Sequence, residues 1–302
     1  MVNKWIFLTA VGILMLVGLA IVASFFYSST AGSFSFGPKI ARIALVGEIV
    51  SEGDVFQQLV SAGQIVDLLD QAENDSGVSA ILLEINSPGG SVVATKQIVE
   101  KIQSMNKPVV SWISDIGASG AYYVSASTTY SMADEDSLTG SIGVITVLPD
   151  ISGLLQDYNV KINVLTQGKF KDMGSPFKPL TEKEEELLLI ASQQIFENFK
   201  NSIKSFRGDK LNLEQFESIA DGRILTGRQA FELGLLDEVG GKQKAIQKAA
   251  ELGNISGEPI IEDFSVTPAF SDIFSTAGQS FGQGVNAGLT NSMVSQTRSY
   301  FR

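Results

Sequence analysis

The spacing of hydrophobic positions changes repeatedly along this 302-residue chain, and the changes predict strands that alternate with helices. Residues 78–85 form a nearly continuous apolar run, which is typical of a strand buried on both faces. Residues 92–102 then place Val92, Ile98 and Ile102 at helical spacing. We predict strands at 40–49, 78–85, 109–113, 142–148 and 160–165, and helices at 62–72, 92–102, 121–126, 181–206, 213–219, 229–233 and 243–252. This order indicates an α/β domain with a largely parallel sheet.

Polar residues mark the ends of two of these helices. Thr181 is followed three residues later by Glu184, which is the capping-box pattern of a helix start. Thr226 is the predicted N-cap of the helix at 229–233, and Gly234 is positioned to end that helix.

The first 38 residues differ from the rest of the chain. Residues 5–27 carry no charge, and at ~1.5 Å per residue they reach about 35 Å, enough to cross a hydrocarbon core of about 30 Å. Lys4 precedes this span, which predicts a cytoplasmic N-terminus and an extracytoplasmic domain in a single-pass plasma-membrane protein. The alternative is a cleaved signal peptide, but the apolar run is too long for one. The predicted parts are a cytoplasmic N-terminus (1–4), a transmembrane anchor (5–27), a tether (28–38), an α/β domain (39–265) and a polar tail (266–302).

Composition excludes several classes of function. The net charge is −11, and an acidic chain is a poor match for a phosphate backbone, so no nucleic-acid partner is expected. The absence of cysteine and histidine excludes disulfides and thiolate chemistry and disfavours a transition-metal site. The tail is predicted to be flexible. An alternative is a weakly amphipathic segment that contacts the membrane or a neighbour through Phe274, Phe281, Leu289 and Phe301.

Two predicted strands end in glycine-rich turns that lead directly into helices. They are Ser-Pro-Gly-Gly (87–90) and Gly-Ala-Ser-Gly (117–120). Such turns present backbone N–H groups where negative charge is favoured, and Gly90 has no Cβ to block a close approach. Ser119, at the start of its helix, is therefore a candidate nucleophile beside an oxyanion hole. A phosphate-binding turn is disfavoured because neither segment matches a P-loop or GxGxxG.

A serine hydroxyl needs a base to remove its proton, and this chain has no histidine. A Ser-His-Asp triad is therefore excluded, and a lysine kept neutral by desolvation is the best remaining class of base. Lys169, Lys171 and Lys178 lie within one segment that also contains Phe170 and Phe177. Lys169 and Lys171 share a face if the segment is extended, so spacing does not choose between them.

Five segments together resemble the signal peptide peptidase A family of membrane-bound serine proteases. They are Ile-Asn-Ser-Pro-Gly-Gly (85–90), Ala-Ser-Gly-Ala-Tyr-Tyr (118–123), Leu-Thr-Gly-Ser-Ile-Gly-Val (138–144), Gly-Lys-Phe-Lys (168–171) and the stretch from Asp-Gly-Arg to Leu-Leu-Asp (221–237). The resemblance covers residues 40–250. The first and last segments also occur in Clp proteases and in the crotonase superfamily, so the combination of the middle three is the more specific.

The resemblance implies a Clp protease/crotonase-like superhelix of ββα units. It also implies that Ser119 is the nucleophile and Lys171 the general base, with Lys169 as the alternative base. Ser141 would orient the lysine amine, and the amides of Gly90 and Ser119 would form the oxyanion hole. The family's short form further implies a homo-oligomer in which neighbouring subunits share active sites.

We therefore predict a membrane-anchored serine endopeptidase with a Ser-Lys dyad that degrades residual signal peptides in or at the membrane. No metal or organic cofactor is expected, and the expected partners are peptide substrates, membrane lipid and further copies of the chain. Two alternatives stay open: a site-specific protease that cleaves a partner membrane protein, and a crotonase-like acyl-CoA enzyme, which uses a similar pair of amides.

Overall fold

A computed structural model describes residues 37–52 and 59–265, together with Met15. The predicted N-terminus, the anchor apart from Met15, residues 28–36 of the tether and the whole polar tail lie outside the described residues. Within the described part of the chain, no helix combines the length and the hydrophobicity that crossing a bilayer requires.

A mostly parallel sheet of eight strands forms the centre of the described domain. The ten strands in chain order are β1 Lys39–Val46, β2 Glu48–Val50, β3 Leu59–Ser61, β4 Val78–Ser87, β5 Val109–Ala118, β6 Tyr130–Ala133, β7 Leu138–Gly140, β8 Ile224–Thr226, β9 Glu238–Val239 and β10 Ile260–Phe264. The main path runs β10-β1-β4-β5-β6-β9. β7 pairs with the end of β5 and, antiparallel, with β8, whereas β2 and β3 form a separate parallel pair.

Helices cover both faces of this sheet, which explains why its central strands bury apolar side chains on both sides. The helices are α1 Ala62–Asn74, α2 Val92–Gln103, α3 Gly120–Ala126, α4 Ser152–Asp157, α5 Glu182–Arg207, α6 Leu213–Ile219, α7 Gly227–Glu232 and α8 Lys242–Leu252. In β4, Ala80 and Leu82 pack in one cluster with residues of α8. Ile81 and Leu83 point to the other face and pack in a cluster with residues of α1, α2 and α3. The mixed α/β class predicted from the sequence is confirmed.

Most predicted elements and both capping signals are confirmed. Thr181 and Thr226 each accept a hydrogen bond from the third residue of their helix and close a capping box. Gly234 follows the end of α7 with a φ of 76°. The predicted strand at 40–49 is divided at Gly47, whose φ of 98° separates β1 from β2.

The predicted strands at 142–148 and 160–165 are wrong for the described structure. These residues form no strand, and the element between them is the short helix α4. Their apolar side chains are largely exposed: Ile145 is 89% and Leu165 96% accessible. A strand needs a partner, and in the described part of a single chain neither segment has one.

The topology brings the two glycine-rich turns together. β4 and β5 are parallel neighbours whose register pairs Ser87 with Gly117, so both strands end at the same edge of the sheet. Ligand sites in open α/β sheets lie outside this carboxyl edge.

A buried ion pair joins Arg207, at the end of α5, to Asp237, which precedes β9, and it leads to a prediction about stability. Asp237 is 4% and Arg207 2% exposed, and Arg207 donates to both carboxylate oxygens. Asp237→Asn is expected to lower the free energy of unfolding by about 3–5 kcal/mol, because it leaves the guanidinium buried without its counter-charge. Urea unfolding at pH 7 measures this loss. Glu135→Gln, which breaks an exposed pair with Arg228, is the matched control and should change stability by less than about 1 kcal/mol.

The same carboxylate makes stability depend on pH. Burial alone would raise the pKa of Asp237, but hydrogen bonds from Arg207 and Lys210 outweigh it and lower the pKa to about 2. Its contribution is therefore complete above the unfolded value of 3.8 and is lost as the pH falls toward 2. Asp237→Asn should flatten the stability curve in this window, and an unchanged slope would contradict the assignment.

Candidate active site

Ser119 occupies a strained turn between β5 and α3. Its φ is 53° and its ψ is −120°, a conformation that residues other than glycine rarely adopt. The Ser119 N–H donates to the Gly140 carbonyl oxygen at 2.8 Å, and the Tyr123 N–H donates to the Ser119 carbonyl oxygen at 3.0 Å. Every residue of α3 is buried, so the turn is held by the core. Strain that is maintained in this way is typical of functional residues.

The hydrogen bond from Ser119 to Gly140 corrects one prediction about the oxyanion hole. An N–H that already donates to a carbonyl oxygen is not available to a substrate, so the assignment of the Ser119 amide is wrong. The Gly120 and Gly90 N–H groups donate to no acceptor among the described residues. They are neighbours, because a Cβ placed on Gly120 would lie 3.4 Å from the Gly90 nitrogen. Gly120 could have been found from the sequence, since the first N–H of a helix has no intrahelical acceptor.

Two glycines keep the space beside these amides open. A Cβ on Gly89, whose φ is 97°, would lie 2.6 Å from the Gly120 nitrogen. A Cβ on Gly90 would lie 2.1 Å from the Ile49 carbonyl oxygen. Ile49 pairs with the residues on either side of Gly90, since it donates to the Gly89 carbonyl and accepts from the Ser91 N–H, both at 2.8 Å. The turn is thus fixed against β2 while the Gly90 N–H is left unused by the described residues.

Ser119 lies where two depressions of the surface meet. The first, which we call the apolar pocket, is about 260 Å³ in volume and lies between α2, α3 and α5. Its apolar lining includes Val93, Tyr123, Ile195 and Phe199. The second, which we call the groove, is about 580 Å³ and follows the Ser-Pro-Gly-Gly turn. A chain lying in the groove would pass Ser119 and could place one side chain in the apolar pocket.

Ser141 lines the groove together with Ser119. It follows β7 with a φ of 50°, and its N–H donates to the Arg223 carbonyl oxygen at 2.8 Å. Arg223 is itself held by two hydrogen bonds to Asp221, of 2.8 and 2.6 Å, which lower the pKa of that carboxyl to about 2. The structure therefore brings Gly90, Ser119 and Ser141 to one site, and the action of Ser141 on a lysine stays a prediction.

The two candidate base lysines line neither depression in the described part of the single chain. Lys171 is exposed in a turn, where its N–H donates to the Gly168 carbonyl oxygen at 3.2 Å. Lys169 is also exposed, and its ammonium lies 5.2 Å from the centre of the Phe170 ring. No described residue donates to or accepts from the Ser119 hydroxyl, so one subunit does not bring the predicted dyad together.

Two further lysines are distinguished by the structure. Lys178 contacts Glu184 at 2.7 Å and Asp172 at 3.0 Å, and these carboxylates raise its pKa, which disfavours it as a neutral base. Lys96, which the sequence analysis missed, lies on α2 and lines the apolar pocket with Ser119. Nothing in the sequence separated Lys96 from other exposed lysines on helices.

Comparison with known proteins shows to which enzyme family the chain belongs. A family model described as Peptidase family S49 matches residues 101–256, just over half of the chain, and a model described as Clp protease matches residues 41–135. The chain belongs to peptidase family S49. It is a serine peptidase of the signal peptide peptidase A family, and the acyl-CoA alternative is set aside.

Three relatives show how far the S49 similarity extends. A protein of Methanocaldococcus jannaschii with a provisional protease name is 36% identical over 83% of this chain and 82% of its own length. Protease 4 of Haemophilus influenzae is 30% identical over 76% of this chain and 37% of its own length. A protein of Enterococcus faecium, provisionally named signal peptide peptidase SppA, is 29% identical over 85% of this chain and 76% of its own length. This S49 chain thus spans little more than a third of Protease 4.

Proposed function

We propose that this S49 peptidase is anchored in a membrane and hydrolyses residual signal peptides with a dyad of Ser119 and Lys171. The observation that carries the proposal is the strained Ser119 turn beside the Gly90 and Gly120 amides, opening on a groove of about 580 Å³. An amine is the best remaining base, because the chain has no histidine.

The proposed reaction has two halves, in which the acyl group is first transferred to Ser119 and is then released by water. The neutral Lys171 amine takes the proton of Ser119 Oγ, and the oxygen attacks the scissile carbonyl carbon. The carbonyl oxygen becomes negative and accepts hydrogen bonds from the Gly90 and Gly120 amides. The Lys171 ammonium then gives its proton to the leaving amine, which leaves an acyl-enzyme. The neutral lysine next takes a proton from a water molecule, whose oxygen attacks the acyl carbon; the bond from that carbon to Oγ breaks, the acid is released, and the lysine returns the proton to Ser119 Oγ.

We propose that Lys171 reaches Ser119 from a neighbouring copy of the chain. Lys171 is exposed and lines neither depression in the described chain. The segment that leads to it exposes large apolar side chains: Ile145 is 89%, Tyr158 76% and Leu165 96% accessible. An exposed apolar surface of this kind is typical of an interface. Burial in that interface would also supply the desolvation that a neutral lysine needs.

The substrate class is supported by the chemistry of the apolar pocket. Val93, Ile195 and Phe199 offer an apolar wall beside the nucleophile, which favours aliphatic side chains next to the scissile bond. Signal peptides are rich in such residues. The E. faecium relative carries a signal peptide peptidase name, and the uncharged stretch at 5–27 is suited to hold the enzyme at the membrane where such peptides remain.

Mixing two inactive variants tests the shared site. Full-length Ser119→Ala and Lys171→Met chains should each be inactive, yet their co-expressed mixture in detergent should recover about one quarter of the wild-type rate, because one interface in four then joins an intact serine to an intact lysine. The readout is cleavage of a fluorogenic peptide with aliphatic residues. A mixture of Ser119→Ala with the chain that carries both Ser119→Ala and Lys171→Met is the control and should stay inactive. Confirmed co-assembly without recovered activity would refute sharing between subunits.

A further inference from the structure

The loop at 166–178 carries three lysines, and the structure uses one of them differently from the others. Lys178 is only 33% exposed and lies between two carboxylates, 2.7 Å from Glu184 Oε1 and 3.0 Å from Asp172 Oδ1. Lys169 and Lys171 form no ion pair with any described residue. Lys178 is therefore the cation that ties this loop to the rest of the domain.

Both ends of this contact are informative. Glu184 is 3% exposed and is fixed at the start of α5, where it accepts from the Thr181 N–H at 3.0 Å and from the Thr181 hydroxyl at 2.9 Å. Asp172 is 24% exposed and is the residue that follows Lys171 in the chain. Lys178 thus connects Asp172, the residue after Lys171, to the buried carboxylate of Glu184 in the first turn of α5.

We propose that Lys178 is a positioning residue for the base. It holds the Lys171 loop against α5, and it offsets part of the negative charge of Asp172 and Glu184. The inference rests on the proposed function, in which Lys171 takes the proton from Ser119.

The charge on Lys178 has a consequence for Lys171. A nearby unpaired carboxylate favours the charged form of an amine and raises its pKa, whereas a general base must be neutral. With Lys178 in place, its positive charge offsets one of the two carboxylate charges, Asp172 and Glu184, that it contacts. Without it, Lys171 would keep its proton to a higher pH. The loop itself carries the charged residues Lys169, Lys171, Asp172 and Lys178. Glu184 faces it from α5. Asp150 lies next to Ile151, whose N–H donates to the Pro176 carbonyl oxygen, and Lys161 lines the same depression as Phe177.

The test is the pH dependence of kcat in the full-length, assembled enzyme. Lys178→Gln should shift the rise of kcat by about half a unit to one unit toward alkaline pH, which lowers kcat below this range by about three- to tenfold. Lys178→Arg keeps the charge and should stay within about twofold of wild type at every pH. Asp172→Asn combined with Lys178→Gln removes both charges and should return the midpoint to the wild-type value. Lys183→Gln, which breaks an exposed pair with Glu186, is the matched control and should change nothing.

Three results separate the possible failures. A uniform loss of kcat in Lys178→Gln with an unmoved midpoint would overturn the electrostatic role and leave only structural support. A double variant that keeps the shifted midpoint would exclude Asp172 as the responsible charge. Full activity in Lys171→Met would refute the base itself, and with it the proposed function, whatever Lys178 does. Thermal unfolding of each variant at pH 7 checks that the loop substitutions leave the domain folded.

Discussion

Ser119→Ala is expected to lower kcat/KM for peptide hydrolysis by about 10⁴- to 10⁶-fold while the domain stays folded. The substitution removes Oγ alone, and the backbone bond from Ser119 N–H to the Gly140 carbonyl is retained. Alanine tolerates the φ of 53° no better than serine does, so the thermal midpoint should change little. The measurement is cleavage of a fluorogenic peptide in detergent, together with a thermal melt.

Lys171→Met should be as damaging as Ser119→Ala, and the double variant should be no worse than either single variant. Residues that act as one catalytic unit do not have additive effects. Lys169→Met is the matched control, because it removes the neighbouring exposed amine and should leave kcat intact. Lys96→Met separates a binding role from a base, and we expect it to change KM through the apolar pocket rather than abolish kcat. An inactive Lys169 variant beside an active Lys171 variant would mean that the other lysine is the base.

Gly89→Ala is expected to lower kcat by about 10²- to 10³-fold, the effect of losing one oxyanion donor. The new Cβ would lie 2.6 Å from the Gly120 nitrogen and 2.8 Å from the Ala118 carbonyl oxygen, both of them backbone atoms that cannot move aside easily. The φ of 97° adds strain for any residue with a side chain. KM should change much less than kcat, because the oxyanion forms only in the transition state.

The control for this substitution is Gly63→Ala. Gly63 lies in α1, and the nearest atom to a Cβ placed there is the Ser61 hydroxyl oxygen at 3.7 Å, an ordinary contact. This variant should keep full activity and gain slightly in stability through helix propensity. Wild-type kcat in Gly89→Ala would contradict the assignment of the Gly120 amide.

The sequence predicted the central strands and the turn that carries Ser119 well, because both depend on local patterns. The apolar run at 78–85 is buried on both faces in β4, and the Gly-Ala-Ser-Gly turn follows β5 as expected. Thr181 and Thr226 close capping boxes that require only four consecutive residues. The hydrogen bonds of a capping box and the burial of an apolar strand can be predicted from the local sequence alone.

The errors arose where the deciding contact is distant in the sequence. The Ser119 N–H was assigned to the oxyanion hole, but it donates to the Gly140 carbonyl oxygen. The sequence did not reveal that hydrogen bond, because it depends on the pairing of β5 with β7. The runs at 142–148 and 160–165 have the composition of strands but no partner strand in the described chain. A run of apolar residues indicates that side chains favour burial, but it does not identify the partner strand that a β-strand requires.

The most direct test of the account is to find where the acyl group is attached during turnover. The full-length enzyme is mixed with a peptide nitrophenyl ester, quenched in acid within the burst, and mapped by mass spectrometry after digestion. We predict one acyl adduct on Ser119, and neither burst nor adduct in the Ser119→Ala variant. An adduct on any other side chain, or an equal burst in Ser119→Ala, would contradict the central claim.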